Sequence, residues 1–174
     1  MTIMKRFSTF VLYLLFAVSL QAGIPTPDSA MSSRMDKDPR KWTAQYQNGN
    51  RTGFIIELVP EGDSIKNWKE MTAQQIAFTT DSLRMYVHTW KEMVRKADAK
   101  IDLKEETMKD GSIFVTYTSL SADEMSMRRF IKGKDGVYML AYHVRPKLKK
   151  DETLKIWEDI IRKANLVSNP EKAK

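Results

Sequence analysis

EMSMRRFIKGKDGVYMLAYHVRP, residues 124–146, reads as two strands joined by a turn at Lys134, Asp135 and Gly136. An Asp-Gly pair between apolar runs is a strong hairpin signal, because the tight turn needs residues that tolerate positive φ. The second arm carries Val137, Met139 and Ala141 on one face and Tyr138, Leu140, Tyr142 and Val144 on the other. Neither face is mainly polar. A strand of that kind is covered on both sides, which calls for helices on both faces of the sheet.

Working upstream, IDLKEETM and SIFVTYTSL flank Lys109, Asp110 and Gly111 and read as another hairpin. WTAQYQ and RTGFIIELVP flank Asn48, Gly49 and Asn50 and read as a third, with Pro60 ending its second strand. Between the hairpins, Ile65, Trp68, Thr72, Ile76 and Thr79 recur at helical spacing behind a cap at Asp63 or Ser64, so a helix is expected to run to about Phe78. Asp81 would cap a second helix whose apolar stripe is Leu83, Val87, Trp90, Val94 and Ala97. DETLKIWEDIIRKANL closes the chain as a third, with Leu154, Trp157, Ile160, Ile161 and Ala164 inward. The order is ββααββββα. It predicts an α+β fold, a three-layer α/β/α sandwich around a central antiparallel sheet of about six strands.

The ends carry different information. Residues 1–22 hold two cations, Lys5 and Arg6, an apolar stretch from Phe7 to Leu20 and a small residue at Ala22, the layout of a secretory signal peptide. The stretch is shorter than the roughly 20 apolar residues that span a bilayer, so cleavage and export to the periplasm or the medium are expected, with no transmembrane segment left behind. Residues 23–40 contain Pro25, Pro27 and Pro39 and no hydrophobic period, and are expected to form a flexible leader. A single domain then covers 41–167, and 168–174 is a polar tail. There is no cysteine, so a lipid-anchored lipoprotein is excluded and the core alone must hold the fold.

Removing Lys5 and Arg6 takes two of the 29 bases and none of the 22 acids, leaving a moderate positive excess. Such a charge favours anionic partners. The hairpin and the loop after it supply candidates in Arg128, Arg129, Lys132, Lys134, Arg145 and Lys147, which would line one ligand-binding surface if the cations converge. Dedicated catalytic signals are absent: no Gly-x-Ser-x-Gly elbow occurs and no Ser, Thr or Cys is obviously positioned by a base. His88 lies one turn before Glu92, the spacing of a metal pair, but no third ligand is evident. His143 reads as a hydrogen-bonded structural histidine. Glu57, between Ile56 and Leu58, is the one carboxylate in an apolar strand. Met125 and Met127 form a Met-x-Met pair of the type that holds copper, for which core filling is the preferred account. No metal or other cofactor is expected.

At ELVPEGDSIKNWKEMTAQQ (57–75), and again at RRFIKGKDGVYMLAYHVRP (128–146) and IWEDIIRKANL (156–166), the chain resembles small exported bacterial proteins of the PsbP-like superfamily. The resemblance implies an α/β/α sandwich used as a binding or assembly module. It transfers no functional residue, because that superfamily has no shared catalytic motif. The expectation is an exported, non-enzymatic binding or assembly module that meets a protein or an anionic surface, a lipid head group or cell-wall polymer, through the basic hairpin; nucleic acid is not an expected partner. A secreted factor acting on a host cell and an exported hydrolase or metal-dependent protein are the alternatives.

Overall fold

The hairpin at residues 124–146 forms with Lys132 opposite Val137 and Met125 opposite Val144. The computed structural model describes residues 25–148 and 150–169. In chain order its elements are β1 (Ser29–Ser32), β2 (Trp42–Asn50), β3 (Gly53–Pro60), β4 (Glu70–Ala77), α1 (Leu83–Ala97), β5 (Asp102–Thr107), β6 (Ile113–Ser119), β7 (Glu124–Lys132), β8 (Val137–Val144), α2 (Asp151–Lys163) and β9 (Asn165–Ser168). Seven strands make one antiparallel sheet in the order β2-β3-β4-β8-β7-β6-β5, and β1 pairs with β9 in a second.

This overturns the expected sandwich. The fold is mostly β, with nine strands in two antiparallel sheets and two helices among the described residues, in place of a three-layer α/β/α sandwich with about six strands and three helices. The expected first helix is a strand. Ser64 is extended and caps nothing, Ile65–Asn67 makes a single 3-10 turn, and Glu70–Ala77 pairs with β3 on one side and β8 on the other. Its residues alternate Met71 and Ala73 on one face with Thr72, Gln74 and Ile76 on the other, and all five are buried. A strand that fills both sides of the sheet gains more from burial than an isolated helix gains from propensity.

The first hairpin turns at Arg51 and Thr52, since β2 runs on through Asn48, Gly49 and Asn50 to pair Asn50 with Gly53. One helix lies on each face. Val87 and Trp90 of α1 join Ile113, Val115, Phe130 and Met139. Trp157, Ile160 and Ile161 of α2 join Phe54, Ile56, Leu58, Leu140 and Tyr142. Trp157 stacks on Tyr142 with ring centroids 4.6 Å apart and meets the edge of Trp42 at 5.0 Å. Ser82, not Asp81, caps α1, accepting a hydrogen bond from the Met85 N–H.

The leader is ordered from β1 onward. Ala30 and Met31 are buried, Met31 within the α2-side core, and β1 lies antiparallel to β9 from Ser29–Ser168 to Ser32–Asn165. Asp38 accepts bonds from the Arg40 guanidinium at 2.7 and 2.9 Å and from the Trp157 indole at 2.8 Å. Arg40 in turn forks onto both Glu70 oxygens, each at 2.8 Å, and the Tyr142 hydroxyl donates to the same carboxylate. The polar tail also starts later than expected: α2 stops at Lys163, β9 follows, and buried Asn169 donates to the Pro27 carbonyl at 2.8 Å. Residues 1–22, expected to be a signal peptide, and residues 170–174 lie outside the described residues. No described helix is long and apolar enough to cross a membrane.

Candidate binding site

The six cations of the expected basic surface are dispersed. Arg128 and Arg129 are neighbours on a strand and so point to opposite faces. Arg128 lies on the α1 side over the rings of Trp90 and Tyr117, at 5.0 and 5.2 Å, and donates to the Tyr117 hydroxyl at 2.8 Å. Arg129, 4 % exposed, donates to Ser112, to Asp110 and to the Ile161 and Arg162 carbonyls, so its charge closes the C-terminal end of α2. Lys132 and Lys134 sit at the β7–β8 turn, where Lys132 is tied to the Thr79 carbonyl at 2.8 Å. Arg145 and Lys147 follow β8 at the opposite end, with Arg145 stacked 4.0 Å over Trp68. Lys132 and Lys134 stay together beside a broad depression also lined by Asp28, Ser29 and Asn169.

The acid and base candidates partly converge. On the α1 face Glu124 accepts from His143 Nδ1 at 2.8 Å and from the Tyr117 hydroxyl, with Arg128 at 4.0 Å. Burial alone would raise the Glu124 carboxyl, but the hydrogen bond from His143, the Tyr117 donor and the Arg128 charge outweigh it and hold it well below the usual carboxylate range. His143 is 5 % exposed, and burial together with the Arg128 charge lowers its pKa against the pull of Glu124. At neutral pH the ring is uncharged and donates its Nδ1 proton. Burial also pushes Tyr117 up to about 12. Glu57 borders this group and is raised mainly by burial, opposed by Arg128 and reinforced by Glu124. The donors and acceptors around Glu124 thus satisfy one another.

The other candidates stay apart. His88 is exposed on α1, and Glu92 pairs with Arg95 at 3.1 Å instead. No group of three or more His, Cys, Asp or Glu able to hold a metal occurs among the described residues. Glu105 and Glu106 face opposite sides, bound to Lys91 and Arg162 respectively.

A cavity opens on the α2 face near the β5 edge. α2 packs mainly over β7 and β8, and a cleft of about 450 Å³ remains between it and β5 to β7. Its floor is Phe114, Thr116, Met125 and Met127, its wall is Leu154, Glu158 and Arg162, and its rim on β5 is Lys104, Glu105 and Glu106. Arg162 lies 4.1 Å over the Phe114 ring and is shared by Glu106 and Glu158, each at 2.8 Å. One cross-strand row runs from Lys104 through Thr116 to Met127. Along it exposure falls from an open lysine through a half-buried threonine to a methionine 3 % exposed. The Lys104 ammonium has no ion-pair partner among the described residues. Of these residues, the Met125–Met127 pair was visible in sequence; Lys104 was not, because nothing local says which strand lies at the sheet edge. No protein-family model matches the chain, and comparison with curated proteins and with solved structures gave no match.

Proposed function

We propose that the protein is an exported binding module that takes an aliphatic chain bearing an anionic head group into the cleft beside α2. The observation that carries this is the polarity gradient of the Lys104–Thr116–Met127 row. It offers an unpaired cation at the mouth, a hydroxyl next and thioether and aromatic surface inside, within a volume typical of small-ligand sites. Thioethers adapt to chains of varied shape at small cost. Export is supported by the Lys5, Arg6, Phe7 to Leu20 and Ala22 layout, and a binding role agrees with what the PsbP-like resemblance implies. An anionic ligand was expected at the hairpin cations. With those cations dispersed, the present proposal sets the anion at Lys104 instead.

The test is a titration with dodecanoate, kept below its micelle concentration, read from the Met125 and Met127 methyl resonances. Both are expected to shift saturably. Lys104→Glu should weaken dodecanoate about five- to tenfold and favour dodecyltrimethylammonium instead. An unsaturated response, or equal affinity for the two head groups in the unmodified protein, would overturn the reading.

A further inference from the structure

The two edges of the seven-stranded sheet are defended very differently. β5, Asp102–Thr107, carries Asp102, Lys104, Glu105 and Glu106, and charge on an edge strand blocks further pairing. β2, the other edge, has no charged residue between Trp42 and Asn50. Its stretch Ala44 to Asn48 is exposed, and Tyr46 is 42 % exposed, so a row of backbone donors and acceptors faces outward.

From this asymmetry we infer that β2 pairs with β2 of a second copy of the chain, antiparallel and about a two-fold axis. Three observations favour a second copy over a foreign strand. Self-pairing a neutral strand sets no like charges against each other. The outward side chains are largely amides, Gln45, Gln47, Asn48 and Asn50, each both donor and acceptor and therefore self-complementary. The register irregularity between Ala44 and Tyr46 confines regular pairing to Tyr46–Asn50. An axis at Asn48 then sets Tyr46 opposite Asn50 of the second copy and Gln47 opposite Gly49, while Arg51 falls against Gln45 and away from its own counterpart. The result is a continuous sheet across two chains, joined by a short ladder and so of modest affinity.

The chain lacks cysteine, so single introduced thiols report the contact cleanly. With a short bis-maleimide, Asn48→Cys in the full chain should cross-link at least tenfold faster than Lys104→Cys on the other edge. Sedimentation velocity of the unmodified protein should show a concentration-dependent dimer. Asn48→Lys, an exposed change that leaves β2–β3 intact, should abolish it by placing two ammonium groups face to face. Equal cross-linking at the two edges, a protein monomeric at millimolar concentration, or a dimer that survives Asn48→Lys would each overturn the inference.

Discussion

Asp38→Ala tests whether the segment before β2 belongs to the folded unit. The Asp38 side chain is 3 % exposed and accepts from Arg40 and from the Trp157 indole. Removing one partner of a buried pair costs about 3–5 kcal/mol. Arg40 is 35 % exposed, though, and keeps its fork onto Glu70, so solvent screening brings that contribution down to roughly 1–2 kcal/mol. The indole N–H of a fully buried tryptophan loses its acceptor, a further cost of about 1–2 kcal/mol. The total is about 3 kcal/mol. With a urea slope near 2 kcal/mol/M for a domain of this size, the midpoint should fall by about 1.5 M. Asp38→Asn keeps an acceptor for Trp157 and should lose only about 1 kcal/mol. Urea unfolding followed by tryptophan fluorescence reads both. If Asp38→Ala lies within 0.5 kcal/mol of the parent, on the scale of a neutral surface change, the leader is not part of the cooperative core and the argument is wrong.

Because burial lowers the His143 pKa, the unfolded chain binds that proton more readily than the folded one, and stability should fall as pH drops below about 6.5. His143→Gln should flatten that part of a thermal-melt pH series. Glu124, whose pKa is also lowered, adds a further loss below about pH 4.5, which should shrink in that variant because the His143 contact that helps to lower it is gone. Gly136→Ala should cost more than about 2 kcal/mol, since the new Cβ would lie 2.1 Å from the Ala77 carbonyl oxygen and β4 backbone must shift. Gly62→Ala meets nothing within 4 Å and should lose only about 1 kcal/mol, from its φ of 93°; chemical denaturation ranks the pair.

What sequence could reveal depended on how local the deciding forces are. The β5 to β8 meander was legible because Asp110–Gly111 and Asp135–Gly136 mark two of its three turns and the runs beside them are rich in β-branched and aromatic residues. Both helices were legible from their amphipathic stripes. β4 was not: Ile65, Trp68, Thr72 and Ile76 fit a helix, and Met71, Thr72, Ala73 and Gln74 fit a strand buried on both faces, a choice settled by β3 and β8 and not by β4 itself. The leader was hidden for a similar reason. Its partner Trp157 is 119 residues away from Asp38, and its prolines speak only of local chain shape. The scatter of the cations was readable, since adjacent Arg128 and Arg129 on one strand cannot share a face and Lys132 and Arg145 flank opposite ends of a hairpin. The cleft was not, because it depends on where α2 stops covering the sheet.

The β1–β9 pair gives the molecule a direction of mechanical weakness. Ser29 sits opposite Ser168, so the strands enter and leave at the same end of their ladder. Tension applied between the two ends of the chain therefore loads those backbone bonds one pair at a time, as in opening a zip, and does not shear them together. The small sheet should part at low force and uncover Met31, while the seven-stranded sheet is still intact.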